Sequence, residues 1–405
     1  MSDQPAVDVL PVPADVAAVA DGLAALPPAL LQRWNRHGGV QVATLYTARQ
    51  GGELVGAAFE VHRPLTAYRK IVDVWTASPE PSVRAALTGR LVRAVVERAW
   101  AEGAVSVKRE FRAAGPDTPA DADWEQSLAA GWRELPPAPR WSGPVAGPFH
   151  EAPTRGQILL REPSSYPLGT GGTEAPWPGL PAAYMRQTTD FTCGPVALQM
   201  GLAALGLRGR PTREAELRLW RRATTVGGCE PLGLALAAEE EGARARVLLS
   251  TEQPVLLELC VNDEERDLRA FLQDGFRREA AERGMEVRTE AFSLDTLRAA
   301  LADGAVALVL IEQLGMHDES CPHWITVHGT AGADVFLAHD PWTDANLGES
   351  WLDGADLPLP AATLDRLAWY GTPSYRGLVL LEARGQSDGM ESSVISSTGR
   401  PSTAW

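Results

Sequence analysis

Cys193 stands directly before Gly194 and Pro195, at the head of an apolar run that reaches Leu205. Within that run Val196, Leu198, Met200, Leu202 and Leu205 can cover one broad helical face, with small residues between them. Proline suits the first turn of a helix, where its missing N–H had no partner in any case. The spacing therefore predicts a helix with Cys193 at or beside its N-terminus. There the unpaired N–H groups and the helix dipole favour a thiolate. Gln187 lies six residues earlier, and its amide can donate to an oxyanion forming beside the cysteine.

A second stretch, 317–342, carries His323 and Asp340. Residues 322–329 and 334–340 read as two strands around Thr330-Ala331-Gly332-Ala333. A turn centred on Ala331-Gly332 sets His323 opposite Asp340, Ile325 opposite Ala338 and Val327 opposite Phe336. Two of these three pairs are apolar, so their common face is the core side. Directly opposed residues hold their Cβ atoms about 5 Å apart. A carboxylate so placed accepts from one imidazole nitrogen and leaves the other for a thiol. Nucleophile, base and orienting group would then be Cys193, His323 and Asp340, the arrangement of a cysteine hydrolase.

The remaining elements must carry these groups. In the N-terminal third, residues 40–50, 54–61 and 68–77 read as strands, the first two joined by a tight Gly51-Gly52 turn. Residues 84–102 form a helix with an apolar stripe from Leu87 to Ala99; a short strand at 105–108 and a helix at 123–131 follow. Residues 141–183, rich in Pro, Gly and Ser, read as an interdomain connection holding one strand-like piece at 157–161. After the cysteine helix, helices are expected at 212–225, 232–241, 263–283 and from Ser293 on, with strands at 245–250 and 305–311. Residues 385–405 are expected to be a disordered tail.

Composition excludes several function classes. The 405 residues hold 45% hydrophobic and 22% charged side chains, enough for large cores. With 52 acidic against 37 basic residues the net charge is −15, which argues against nucleic acid and against a polybasic membrane contact. No run has the length of a membrane span, and the start of the chain has no signal-peptide pattern. Four scattered cysteines suit a reducing cytoplasm, which is the expected location. His317, Cys321, His323 and His328 lack the paired spacing of a zinc site, so no metal is expected. His339 has the wrong parity to face His323 and reads as a surface residue or a support behind the site. Cys229, Cys260 and Cys321 read as structural.

Two resemblances follow from these residues. The order of strands, helix, strand and helix in the first third, closing with DWEQSLAAGWREL, resembles the GNAT acetyltransferase fold. That family cradles the acetyl-CoA pyrophosphate on a glycine-bearing loop before its central helix. Here Val83 and Ala85 occupy the glycine positions, Pro79 and Pro81 remove donors, and Glu80 adds a negative charge. The implied domain is degenerate, with no cofactor. Gln187 before Thr192-Cys193-Gly194-Pro195, then His323-Trp324-Ile325-Thr326-Val327, then His339-Asp340-Pro341, resembles the bacteriocin-processing cysteine peptidases of the papain-like clan. The resemblance implies Cys193 as nucleophile, His323 as general base and acid, Asp340 as orienting group, and Gln187 with the Cys193 N–H as oxyanion hole. The transporter segments that accompany well-known members, including a Walker loop, are not seen here.

The expected architecture is thus α+β: a degenerate GNAT-like domain at 1–140, a linker at 141–183, a papain-like peptidase domain at 184–384 and a tail at 385–405. The expected function is hydrolysis of a peptide or amide bond in a peptide or protein substrate. A binding module that works without turnover, and an acyl transferase using the same thioester, remain open on these residues.

Overall fold

In the computed structural model the described residues are 6–12, 23, 25–112, 120–135, 154–162, 184–224 and 227–384. They form two seven-stranded sheets with helices packed on them. The expected tail, and most of the expected linker, lie outside the described residues.

The first sheet is built from β1 (Ala6–Val12), β2 (Val42–Gln50), β3 (Glu53–His62), β4 (Tyr68–Thr76), β5 (Ser106–Arg112), β6 (Arg133–Leu135) and β7 (Thr154–Leu160). Its order is β1-β2-β3-β4-β5-β7-β6. Gly51 and Gly52, at φ 59° and 89°, make the β2–β3 hairpin turn, a conformation closed to most side chains. The one parallel pair, β4 with β5, needs a crossover, and α2 (Pro81–Ala101) supplies it. The stripe on α2, with Leu87, Leu91, Val92 and Val95, packs on Tyr46, Ala58, Ile71 and Val107 from one face of the sheet. α1 (Pro28–Trp34) and α3 (Ala120–Ala129) complete this part. Residues 157–161 differ from expectation: the strand-like piece within the connection is β7, which pairs with both β5 and β6 inside the sheet. Pro- and Gly-rich flanks concealed a sheet partner.

The second sheet contains β8 (Ala243–Leu249), β9 (Glu286–Arg288), β10 (Val306–Glu312), β11 (Pro322–Thr330), β12 (Val335–His339), β13 (Leu357–Pro360) and β14 (Gly377–Ala383). Its order is β13-β12-β11-β10-β14-β8-β9, with only β8 and β9 parallel. One face carries α4 (Cys193–Ala204), α5 (Arg213–Ala223), α6 (Pro231–Glu240) and α7 (Asp263–Glu282). The other face packs α8 (Leu294–Ala302) and α10 (Ala361–Leu367), and α9 (Trp351–Gly354) lies in the connection between β12 and β13.

The two sheets share a core. Leu135, Ile158 and Leu160 of the first meet Met185, Val196, Met200, Trp351 and Leu352 of the second region in one apolar cluster. Beside it runs a buried polar seam from the face of the first sheet opposite α2. Tyr68 Oη donates to Asp353 Oδ1 at 2.8 Å, Lys70 pairs with Asp353, and Lys108 Nζ donates to the Leu352 carbonyl at 2.6 Å. Charged groups this deep cost several kcal/mol each unless paired, so the match between the two parts is specific.

Candidate active site

Cys193 is the first residue of α4, with Thr192 as N-cap, and is 6% exposed. Residues 193–202 are all buried, so α4 is apolar on every side rather than along one stripe. Gly194 allows this: a Cβ there would sit 3.2 Å from Cys229, Leu234 and Trp324. Thr326 of β11 donates to the Ala197 carbonyl at 2.8 Å, fixing the helix against the strand that bears His323.

His323 Nε2 lies 2.7 Å from Asp340 Oδ1, both fully buried. The other imidazole nitrogen is left for Cys193, which adds to the upward pull on His323. Burial works against a charged His323. The Asp340 charge and hydrogen bond, with Cys193, outweigh it and push the imidazole up from 6.5 to about 10. Asp340 is held well below the usual carboxylate range: burial would raise it, and the His323 charge with the hydrogen bonds from His317 and His323 overcomes that.

The contact is made in a different register from the one expected. Thr326 pairs with His339 and Val327 with Ala338, two residues away from the symmetric hairpin, and a bulge follows between Val327 and Gly329. A slip of two residues preserves the facing side because strand parity is two. His323 therefore reaches Asp340 diagonally, with Asp340 just beyond the end of β12. The longer loop takes Ala331 into the core, at 8% exposure, where its N–H donates to the Val335 carbonyl at 2.8 Å.

Gln187 is held beside the site. Its N–H donates to the Pro341 carbonyl at 2.9 Å, and its Nε2 donates to the Thr189 carbonyl at 2.7 Å, which leaves one amide hydrogen over. The intervening loop is tied down by a carboxylate that the sequence did not single out. Glu216 of α5 accepts from the Thr188 N–H and Oγ1 at 2.8 Å each, and from Thr192 Oγ1. Burial raises the Glu216 carboxyl while those hydrogen bonds pull it down.

Asp340 has more partners than His323 alone. Oδ1 also accepts the Trp342 N–H at 2.9 Å. Oδ2 accepts from His317 Nε2 at 3.1 Å and from Arg63 Nη1 at 3.0 Å. In the sequence His317 stands out only by its spacing to other possible zinc ligands, and no signal near Arg63 connects it to a residue 277 positions away. Burial, then the Arg63 charge, lowers the His317 imidazole, so its neutral form donates to Asp340.

His339 is not at the surface. It is 1% exposed, with its ring centroid 4.4 Å from that of His328. Two groups could in principle gather a cation: His317, His323 and Asp340, and His328, His339 and Asp356. In the first, both Nε2 atoms lie against Asp340, an arrangement that uses their protons. In the second, His339 Nδ1 accepts the Asp356 N–H at 3.1 Å. Its ring proton then resides on Nε2, which makes that atom a donor and not a ligand. Burial, then the neighbouring His328, lowers His339 to about 3, so it stays neutral.

At the start of α2 the N-cap is Glu80 and Pro81 follows. Ser82 Oγ donates to Glu80 Oε1 at 2.5 Å, which fixes the carboxylate over the first turn. Among the described residues no helix is long and apolar enough to cross a membrane.

Residues 182–382 match the sequence model of a family described as Peptidase_C39 like. The chain is also similar to solved acetyltransferases over its N-terminal part. An IAA acetyltransferase from Bacillus cereus is 14% identical with a TM-score of 0.26, over 38% of this chain and 99% of that one. A GNAT family acetyltransferase from Elizabethkingia anophelis with acetyl-CoA bound is 11% identical with a TM-score of 0.25, over 39% and 99%. An acetyltransferase of the GNAT family from Staphylococcus aureus is 10% identical with a TM-score of 0.27, over 39% and 100%. Comparison with curated proteins gave no match.

Proposed function

We propose that this chain, whose residues 182–382 fall in a Peptidase_C39-like family, is a cysteine hydrolase that cleaves a peptide or amide bond. The observation that carries the reading is the buried His323–Asp340 hydrogen bond at 2.7 Å, with Cys193 at the N-terminus of a buried helix acting on the same imidazole. The Cys193 sulfur attacks the carbonyl carbon. The oxyanion is met by the spare Gln187 amide hydrogen and the Cys193 N–H, which has no helical partner in the first turn. His323 holds its proton at neutral pH and delivers it to the departing amine, leaving a thioester. Water then attacks the thioester, giving its proton to His323, and the thiol leaves. Asp340 keeps the imidazole oriented and supports its charge throughout.

The N-terminal unit, with its sheet continuing through Leu160, is read as a GNAT-like fold without acetyl transfer. Glu80 and Pro81 at the head of α2 support this, since an anion there meets a carboxylate and one donor fewer. The substrate is a peptide or protein segment.

The test is iodoacetamide labelling across pH, read by peptide mass mapping. Cys193 should be the fastest of the four cysteines to label near neutral pH, because His323 stands beside it. Cys321 should lag, because burial pushes it up to about 12, and Cys229, raised well above its ordinary value by burial, should lag too. Cys193→Ala should abolish hydrolysis of a peptide substrate and keep the fold. An ordinary thiol profile for Cys193, unchanged by His323→Ala, would favour a binding module.

A further inference from the structure

Arg63 follows β3 of the first sheet and is fully buried between the two parts of the molecule. Nη1 donates to Asp340 Oδ2 at 3.0 Å. Nε and Nη2 grip the two oxygens of Glu349, each at 3.0 Å. Glu349 is itself held by Gln41 Nε2 at 3.1 Å and by the Asp344 N–H at 2.8 Å. Gln41 Oε1 in turn lies 2.9 Å from His37 Nδ1. A planar guanidinium with three of its hydrogen bonds fixed by two carboxylates has one geometry available to it.

The surrounding backbone reinforces that placement. A Cβ on Gly315 would come within 2.9 Å of Leu65, and one on Gly348 within 2.7 Å of the His37 ring. A Cβ on Gly39 would come within 2.6 Å of Asp318. The connections at this end of the N-terminal sheet, α1 to β2 and β3 to β4, thus close on both loops that serve Asp340: the one bearing His317 and the one bearing Glu349.

We propose that Arg63 is a positioning residue of the Cys193–His323–Asp340 triad, and that the acetyltransferase-like part serves the cysteine site as an in-chain activator. The proposal rests on the triad reading given above. Its physical basis is the carboxylate's second oxygen. Oδ1 must point at His323, and it does so only if Oδ2 is also held, since a carboxylate rotates readily about its last bond. The two donors on Oδ2 are His317, from a loop, and Arg63, braced by Glu349. The titratable and charged groups facing Asp340 are therefore His323, Arg63 and the neutral His317, with Glu349 behind the guanidinium. Lys70 and Asp353 form the next ion pair along the seam.

The experiment uses the full chain with Arg63→Lys and Arg63→Ala. Lysine keeps the charge and loses the fork, so it separates positioning from simple charge balance. Two quantities are read: the His323 titration midpoint by NMR of the labelled imidazole, and the Cys193 alkylation rate at pH 7. In folded Arg63→Lys the midpoint should fall by about one pH unit or more as Asp340 loosens. The Cys193 rate should fall about tenfold. Arg63→Ala, where it folds, should lose more, and added guanidinium should restore part. A folded Arg63→Lys with wild-type midpoint and rate overturns the proposal. So does an Arg63→Lys chain that no longer folds, because the residue then holds the fold and not the triad. An ordinary-thiol Cys193 in the wild type, with a midpoint that still falls in Arg63→Lys, would sink the hydrolase reading and leave the Arg63 role standing.

Discussion

Asp340→Asn keeps the shape of the side chain and removes the charge on which His323 depends. Raising the buried imidazole from 6.5 to about 10 corresponds to about 5 kcal/mol of differential interaction between its two protonation states. Asparagine can still accept the His323 Nε2 hydrogen through its oxygen. Its NH2 then faces Arg63 Nη1 and His317 Nε2, and the arginine cannot turn into an acceptor. Turning the amide over moves the conflict to His323 and the Trp342 N–H. Either orientation leaves a buried donor unmet, at a cost of about 1–3 kcal/mol to stability. Burial, which opposes the imidazolium, remains. If Asp340's charge carries about half of the 5 kcal/mol, the Cys193 reaction at pH 7 should slow about 100-fold, at 1.36 kcal/mol per tenfold. The effect should be milder than that of His323→Ala, which removes the base itself. The assay is iodoacetamide labelling of Cys193 at pH 7, with chemical denaturation on the same samples. A folded Asp340→Asn chain that labels at the wild-type rate would refute the reasoning.

Stability should follow pH through the same pair. His323 is raised above its unfolded value of 6.5, so its contribution is complete below that pH and is lost as pH rises through about 10. Asp340 is depressed below 3.8, so its contribution is present above that pH and is lost as pH falls. Unfolding free energy should therefore decline between pH 7 and 10, and the decline should be shallower in His323→Ala; equal slopes would count against the buried ion pair. Gly354→Ala should destabilise by about 1–3 kcal/mol by overpacking, because a Cβ there would overlap the Asp340 carbonyl oxygen and the Tyr184 hydroxyl. Thermal melting checks it, and an unchanged melting temperature would show that α9 can shift away from the triad. Acetyl-CoA should give no calorimetric binding signal at about 100 µM, a generous limit for a damaged phosphate site; low-micromolar binding would revive the acetyltransferase.

Sequence determined the local chemistry. The head of α4 follows from Cys193-Gly194-Pro195 and the apolar run after it, because helix starts and helical spacing are written within a few residues. Facing of His323 and Asp340 followed from strand parity, which survives a two-residue slip. The register itself did not follow, since the bulge and the buried Ala331 depend on what packs against the turn. β7 is hidden for a related reason: a strand whose paired residues lie 21 to 54 positions away announces itself only weakly amid proline and glycine. Tertiary structure alone decided the groups behind the triad. Glu216 reaches the loop before Cys193 from the next helix, and His317 enters from a loop with no periodic signature. Arg63 comes from the other sheet altogether. A buried carboxylate must fill its lone pairs with whatever donors the folded chain brings near, and that set is fixed by packing between distant segments, for which one sequence carries no local mark.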